Sequence, residues 1–375
     1  MAGGKYRKCP VRRGAEPLSS ARESRGRAPI CAGAGLCYCR GRMRTVRIEE
    51  RDLGKTGLRV SALGFGCGNV GGLMIRGSVA ERERAVARAV ELGVNYFDTA
   101  PSYGDGQSEL NLGTALKAVR APVYVGTKFR LDAADLRDAR RAIGRSLDAS
   151  LQRLGRERVD LLQLHNPLAE RRAESALAVG DVIAEVVPAL LALQAQGKTR
   201  FWGITALGDT PALHRLVGAA PLDTAQVCYN LLNPSAGLEV PSGFPAQDFR
   251  RLLGAAQERR VGVIVIRVLA AGALSGVTTR HPVAVPKVDP IATGPDYASD
   301  VERAQPLRTL VTDGHVESLV EASLRFPLSN PAVSTVLLGY SSLAHLETAA
   351  AAVAKGPLPA RALDRLTAVW ALSGR

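Results

Sequence analysis

The sequence contains no apolar run of the ~18 residues that a membrane-spanning helix needs, and its apolar stretch 261–266 stops at Arg267. Of its 375 residues, 46% are hydrophobic and 22% are charged. These values are typical of a soluble globular protein and exclude disorder over most of the length. We therefore predict a folded chain without a membrane segment. Its length fits either two or three domains or one large α/β barrel.

Acidic side chains are also in the minority, with 35 Asp and Glu against 49 Lys and Arg and a formal net charge of +14. The excess is uneven, because residues 1–42, the leader, hold 10 basic and 2 acidic side chains. Residues 43–375, the body, hold 39 basic and 33 acidic side chains. We therefore expect no nucleic-acid partner for the body. Binding of nucleic acid or of an acidic surface through the leader is the alternative.

Cysteine is scarce, and most of it lies in the leader. Four of the six cysteines are found there, at Cys9, Cys31, Cys37 and Cys39. Their spacing matches no zinc-binding pattern, and the leader lacks the continuous apolar stretch of a secretory signal. We interpret the leader as a disordered or spurious extension, with Met43 as the natural start and a transit peptide as the alternative. Cys67 and Cys228 lie on predicted strands as reduced, buried thiols, which favours a cytoplasmic location.

In the body, strand-like runs alternate with helical ones. The predicted strands are 63–66, 94–97, 123–126, 159–164, 199–204, 224–228, 261–266 and 334–338. Helices are predicted near 79–92, 107–118, 138–154, 181–196, 209–217, 246–259, 315–326 and 342–354. Strands that alternate with helices favour a parallel sheet, and eight such units favour a closed barrel. We predict an α/β fold, a single (β/α)8 TIM barrel over 43–375, with an N-terminal β-hairpin over 51–62 that covers the N-terminal mouth.

Long loops are predicted at the C-terminal mouth of this barrel. More than forty residues, rich in Gly and Pro, separate the seventh strand from its helix. Loops of this length are usually functional or mobile, so we interpret this one as a lid over a bound ligand, with a disordered insertion as the alternative. Substrate specificity is expected in loops 69–77, 166–180 and 231–244. Apolar residues in the last of these hint at an apolar wall.

A match to the dinucleotide fingerprint G-x-G-x-x-G occurs at 66–71, just after the first barrel strand. A true fingerprint opens a helix whose N-terminal amides hold the pyrophosphate. Here Ser78 and Glu81 form a capping box that predicts a later helix start. We therefore do not favour a Rossmann domain. We interpret the glycines as letting the loop pass close to a ligand at the barrel mouth.

Four polar side chains stand at or near consecutive strand ends, where barrel enzymes place their chemistry. They are Asp98, Tyr103, Lys128 and His165. Reduction of a carbonyl requires that a proton reach oxygen as hydride reaches carbon. A phenol is a weak acid, a nearby ammonium favours the phenolate, a carboxylate keeps that ammonium charged, and an imidazole can hydrogen-bond the carbonyl. Each residue alone is more often structural, but the four together favour a catalytic site.

The stretches LGFGCGNVGG, FDTAPSYGDGQSELNLGTAL, VYVGTKF and VDLLQLHNP resemble the aldo/keto reductases, a family of (β/α)8-barrel oxidoreductases. The resemblance runs from about Arg51 to the C-terminus. It implies a catalytic tetrad of Asp98, Tyr103, Lys128 and His165, with Tyr103 as acid/base. The opening segment and VIVIRVLAAGALSG most resemble the subgroup with aldose, L-galactose and pyridoxal dehydrogenases.

The resemblance also implies a nicotinamide cofactor, NAD(P)(H). Its expected contacts are Gly66, Asn166, Thr205, Gln226, Arg267, Gly339 and Ser342. Ile266 stands where many members have a tyrosine that stacks on nicotinamide, so we expect no such stacking. Family members that bind NADP carry Lys or Arg in the segment that corresponds to 339–347. This segment has neither, and Glu347 would repel a 2′-phosphate, so NAD(H) is favoured.

We therefore predict an oxidoreductase that transfers hydride between a nicotinamide cofactor and an aldehyde, a ketone or an aldose hemiacetal. The alternative is a regulatory or sensor protein that binds the cofactor on the same barrel without significant turnover. The expected partner is a small carbonyl or sugar substrate. The sequence indicates neither the substrate nor the oligomeric state.

Overall fold

The computed structural model describes residues 47–173 and 175–373 of the chain. The predicted leader, residues 1–42, lies outside the described residues. No helix within the described ranges is long and apolar enough to cross a membrane.

The described chain begins with a hairpin and continues into eight parallel strands that close into a barrel. The hairpin strands are β1 (Glu50–Asp52) and β2 (Arg59–Ser61), paired antiparallel. The strands that follow are β3 (Leu63–Gly66), β4 (Tyr96–Asp98), β5 (Tyr124–Phe129), β6 (Val159–Leu164), the short β7 (Leu168–Ala169) and β8 (Leu177–Ala178), β9 (Thr199–Thr205), β10 (Thr224–Cys228), β11 (Gly262–Ile266) and β12 (Val333–Gly339). The barrel order is β3-β4-β5-β6-β9-β10-β11-β12, closed by pairing of β12 with β3. The predicted (β/α)8 barrel is confirmed.

Helices connect these strands around the outside of the barrel. They are α1 (Leu73–Arg76), α2 (Val79–Glu91), α3 (Gln107–Val119), α4 (Ala139–Leu154), α5 (Val179–Asp181), α6 (Val187–Ala195), α7 (Thr210–Ala219), α8 (Leu252–Glu258), α9 (Tyr297–Ala304), α10 (Thr309–Thr312), α11 (Leu319–Leu328), α12 (Leu343–Val353) and α13 (Ala360–Ser373). A π-helical turn, Val182–Val186, joins α5 to α6, and 3₁₀ turns occupy Asp135–Asp138, Ala270–Ser275 and Gln305–Arg308. The Ser78–Glu81 capping box predicted for α2 is present.

The hairpin covers the N-terminal end of the barrel, as predicted. Leu53, at its turn, is fully buried in an apolar cluster that includes Tyr96 and Ile264. The Lys55 N–H donates to the Arg260 carbonyl at 2.8 Å, and the Ser334 hydroxyl donates to the Asp52 carbonyl at 2.8 Å. These contacts join the hairpin to the beginnings of β11 and β12, so the opposite, C-terminal end is the open one.

The predicted elements differ from the structure in several places. β5 runs to Phe129 rather than ending at 126, so Lys128 lies on the strand and not after it. The helix predicted over 246–259 begins only at Leu252, because Arg250 and Arg251 have φ of 49° and 56° and cannot continue a right-handed helix. Between β11 and α11, the long connection carries the helices α9 and α10, which the sequence pattern did not predict.

The glycines of the 66–71 match serve the packing of loops at the barrel mouth. A Cβ on Gly71 would lie 2.5 Å from the carbonyl carbon of Gly339 and from the Tyr340 nitrogen. A one-turn helix, α1, follows directly, earlier than the helix start that the sequence predicts. The sheet is nevertheless a closed barrel rather than an open doubly wound sheet, which excludes the Rossmann fold.

Candidate active site

A buried carboxylate anchors the polar cluster at the C-terminal end of the barrel. Asp98 is the last residue of β4 and is 2% exposed. Its Oδ1 accepts a hydrogen bond from Lys128 Nζ, while Oδ2 accepts from Tyr96 Oη at 3.0 Å. Gln226 and Gln163 donate to the same Oδ2 at 2.6 and 3.2 Å. Each oxygen therefore accepts at least one hydrogen bond, which fixes the position of the side chain.

Lys128 connects this anchor to Tyr103. It is 1% exposed and also donates to the Thr99 carbonyl at 2.8 Å. Its Nζ lies 4.9 Å from the centroid of the Tyr103 ring. Burial alone lowers the pKa of Lys128, but the Asp98 carboxylate and the Tyr103 hydroxyl outweigh burial and raise it. The ammonium is therefore charged at neutral pH, beside the phenol.

His165 completes the cluster from the other side of Tyr103. It follows β6 directly, and its ring lies edge-on to the Tyr103 ring, with 5.9 Å between centroids. Burial, with the positive charges of Lys128 and Arg130, lowers the pKa of His165 to about 3. The imidazole is therefore neutral at physiological pH, and can donate or accept a hydrogen bond without carrying charge. The structure thus brings together all four residues of the predicted tetrad.

A cavity of about 950 Å³ opens above these residues, and its lining includes Asp98, Tyr103 and His165. Five predicted cofactor contacts also line it. These are Gly66, Thr205, Gln226, Arg267 and Gly339. They come from four different strands and the loop after β11, which explains how residues distant in the sequence share one surface.

The other two predicted contacts, Asn166 and Ser342, are not among the described residues that line the cavity, and their contact with the cofactor stays a prediction. The side-chain amide of Asn166 is held by the Leu131 backbone, accepting from its N–H and donating to its carbonyl, each at 2.9 Å. Ser342 is the N-cap of α12, and its hydroxyl accepts from the His345 N–H at 3.3 Å. Its neighbour Ser341 lines the cavity instead.

The side walls of the cavity also differ from the prediction. Among the described residues, loops 166–180 and 231–244 contribute none to the lining, whereas 69–71 contribute three. Leu231, expected in an apolar wall, is buried in the core, where its carbonyl accepts a hydrogen bond from Trp370 Nε1 at 2.9 Å. The largest group of lining residues runs from Ile266, the last residue of β11, to Tyr297 in the segment that follows.

Several lining residues were missed by the sequence analysis, namely Arg130, Arg280, His281, Ser341 and His345. Only Arg130 carried a usable signal. It lies two residues after Lys128 and directly follows β5, at the strand end where barrel enzymes place their chemistry. Arg280 and His281 depend on how the segment after β11 folds back. Ser341 and His345 lie in the 339–347 segment that the resemblance assigned to the cofactor, but the sequence does not show which of its side chains line the cavity.

The donor set of the cavity fits a nicotinamide dinucleotide. Its volume is at the upper end of small-molecule sites, and three arginines line it, at Arg130, Arg267 and Arg280. Guanidinium groups suit the two phosphates of a dinucleotide. Thr205 and Gln226 lie beside the tetrad, with 3.4 Å between Oγ1 and Oε1, and could hold a carboxamide. Gly339 and Ser341 would face the nucleotide tail.

A closed parallel barrel, with a charged cluster and a large cavity at its C-terminal end, defines the class of (β/α)8-barrel enzymes. Within this class, residues 62–371 match the model of the Aldo/keto reductase family, and the chain belongs to this family of oxidoreductases. The resemblance stated from the sequence motifs is thereby confirmed.

Alignments with known proteins of this family extend over most of the chain. It is 31% identical over 318 residues to L-galactose dehydrogenase of Arabidopsis thaliana, across 82% of this chain and 88% of that protein. It is 30% identical over 319 residues to D-threo-aldose 1-dehydrogenase of Pseudomonas sp, across 77% of this chain and 88% of that protein. The solved holo form of aldo-keto reductase AKR11C1 from Bacillus halodurans is similar with a TM-score of 0.65 and 25% identity, covering 86% and 96% of the two chains.

Proposed function

We propose that this protein is a nicotinamide-dependent oxidoreductase that interconverts an aldehyde, ketone or aldose with its reduced or oxidised counterpart, and that Tyr103 is its acid/base. The observation that carries the proposal is the convergence of Asp98, Lys128, Tyr103 and His165 at one end of a cavity large enough for a dinucleotide. The names of the dehydrogenases to which the chain is similar support an aldose or a related carbonyl as substrate.

When bound, the nicotinamide would supply or accept the hydride. In reduction, Tyr103 gives its hydroxyl proton to the carbonyl oxygen as hydride reaches the carbonyl carbon, and an alcohol forms. In oxidation of an aldose hemiacetal, the Tyr103 phenolate takes the hydroxyl proton as hydride leaves the anomeric carbon, and a lactone forms. The Lys128 ammonium stabilises the phenolate oxygen, and Asp98 holds that ammonium in place. Neutral His165 hydrogen-bonds the substrate oxygen and orients it.

The test is the substitution Tyr103→Phe, which removes the proton donor and keeps the ring. We expect turnover to fall by about 10²- to 10⁴-fold, with affinity for the cofactor nearly unchanged in a fluorescence titration. Tyr124→Phe is the matched control, because Tyr124 begins β5 at the opposite end of the barrel. Near-normal turnover of Tyr103→Phe would refute the assignment. Cofactor binding without turnover of any sugar or aldehyde by the unaltered protein would instead favour a sensor.

A further inference from the structure

The arginines that line the cavity differ in whether their guanidinium groups already donate hydrogen bonds within the protein. Arg280 donates to the carbonyls of Val285 and Ala271 at 2.7 and 2.8 Å. Arg267 donates to the carbonyl of Asp289 at 3.3 Å. Arg130 has no hydrogen bond or ion pair with any residue that the structure describes. Asp98, the single carboxylate among the described lining residues, is committed to Lys128. Arg130 is therefore a cavity cation without a counter-charge in the described chain.

The backbone on both sides of Arg130 is fixed to the segment that carries His165. The His165 N–H donates to the carbonyl of Phe129 at 2.8 Å. On the other side, the Asn166 amide holds both the N–H and the carbonyl of Leu131. Three hydrogen bonds therefore set the place of Arg130 beside the tetrad, although its side chain is exposed.

The positive charge of Arg130 acts on His165, at the end of the cavity where the tetrad lies. Together with burial and Lys128, it lowers the pKa of His165. A substrate whose carbonyl lies between Tyr103 and His165 therefore has an unpaired guanidinium beside it. A charge-assisted hydrogen bond to such a group is stronger than a neutral one, and a guanidinium binds carboxylate or phosphate in bidentate geometry.

We propose that Arg130 makes this protein selective for carbonyl substrates that carry an anionic group, a carboxylate or a phosphate, in addition to the reacting carbonyl. The inference rests on the proposed function and specifies its substrate class. It assigns Arg130 to the substrate and leaves Arg267 and Arg280 for the phosphates of the cofactor.

Matched pairs of compounds test the proposal on the full chain. 4-Carboxybenzaldehyde is compared with methyl 4-formylbenzoate, and pyridoxal 5′-phosphate with pyridoxal, so that the two pairs distinguish a carboxylate from a phosphate. The measured quantity is the ratio of kcat/KM for the anionic member to that for the neutral member. We expect at least one ratio to exceed unity clearly, and Arg130→Met to lower it about 10- to 100-fold. Arg130→Lys should restore part of it.

Arg140→Met is the control for net charge, because Arg140 is exposed on α4 and does not line the cavity. It should leave the ratio as it is. Equal ratios in the unaltered protein and Arg130→Met would overturn the proposal. A loss of NADH affinity in Arg130→Met, measured without substrate, would assign Arg130 to the cofactor and overturn it as well.

Calorimetry separates this proposal from the proposed function. The probe is 4-(hydroxymethyl)benzoate, with the corresponding methyl ester as its neutral partner. Binding that depends on Arg130, in a protein that turns over no carbonyl, would contradict the proposed function alone. Turnover of both members of a pair with a ratio independent of Arg130 would contradict the anion proposal alone.

Discussion

The neutral imidazole of His165 makes the stability of the fold depend on pH. The pKa of His165 is lowered from its ordinary 6.5 to about 3 by burial and by the charges of Lys128 and Arg130. Between pH 6.5 and about 3, the unfolded chain therefore binds a proton that the folded chain does not. The free energy of unfolding falls as pH falls through this window, and His165 contributes no pH dependence above it.

We expect His165→Gln to remove this contribution. Urea unfolding at pH 7.5 and at pH 5 should show that the variant loses less stability on acidification than the unaltered protein, by about 1–2 kcal/mol. The comparison uses the difference between the two pH values, so a constant effect of the substitution on packing cancels. Parallel losses in both proteins would show that His165 becomes protonated in the folded state near its ordinary pKa.

At the scale of residues, the sequence predicted which side chains meet but not what each one contacts. Asp98 and His165 were found because carboxyl ends of neighbouring parallel strands converge, whatever the loops do. The partner of the Asn166 amide could not be predicted, because the Leu131 backbone lies 35 residues away along the chain. The sequence pattern does not distinguish the adjacent serines Ser341 and Ser342. The backbone conformation before α12 decides that Ser341 lines the cavity and that Ser342 caps the helix.

Among the elements, the hairpin is the clearest case of a part that stabilises without touching the site. Leu53 is fully buried and packs with Leu58 and Val60 of the hairpin and with barrel residues from β4, β6 and β11. A Cβ on Gly262, the first residue of β11, would lie 2.7 Å from the Leu53 side chain, which shows how closely the two elements approach.

We expect Leu53→Ala to lower the free energy of unfolding by about 2–5 kcal/mol, because it leaves a cavity in a closed apolar cluster. Turnover should stay near normal at temperatures where the variant is folded, since the tetrad lies at the other end of the barrel. Urea unfolding and steady-state kinetics check the two expectations. Leu238→Ala is the matched control, because Leu238 is 40% exposed and should change stability little. A variant of normal stability would mean that the hairpin is not part of the cooperative fold.

Elements were predicted well where hydrophobic periodicity extends over several turns, as in α4, whose apolar positions include Ile143, Leu147 and Leu151. Periodicity failed where backbone conformation decides. The helix after β10 is shortened because Arg250 and Arg251 have positive φ, and an arginine in the sequence does not predict that conformation. The segment after β11 was predicted as a loop because it is rich in Gly and Pro, and its helices α9 and α10 have only 8 and 4 residues.

At the scale of the whole molecule, the cavity is assembled from parts that lie far apart in the chain. One wall is the loop after β3, another is the segment after β11, and a third is the start of α12. Arg76 joins two of these parts, because its guanidinium donates to the carbonyls of Asn69 and Val283, each at 2.7 Å. A sequence pattern describes each part separately, so it could not predict which residues of the segment after β11 line the cavity. That this segment acts as a lid stays a prediction.

The preference for NAD or NADP depends on the same assembly. Residues 339–347 contain no lysine or arginine, and the Glu347 carboxylate is paired with Arg88 at 3.0 Å. Glu347 is therefore compensated and does not line the cavity, so its repulsion of a 2′-phosphate is weaker than the sequence suggested. His345 lines this end of the cavity, with its ring 5.5 Å from that of His281. Burial and the neighbouring His281 lower the pKa of His345, which leaves its imidazole uncharged at pH 8.

We therefore expect NADH to stabilise the protein more than NADPH at pH 8, because an added phosphate finds no permanent cation on α12. Ligand binding raises the stability of the folded state by RT ln(1 + [L]/Kd), so the thermal midpoint at equal concentrations of each cofactor ranks the two affinities. His345→Arg should raise the shift produced by NADPH and change that of NADH little, since it supplies the missing charge at a position on the cavity surface. An equal or larger shift with NADPH in the unaltered protein would mean that arginines of the segment after β11, rather than the start of α12, receive the 2′-phosphate.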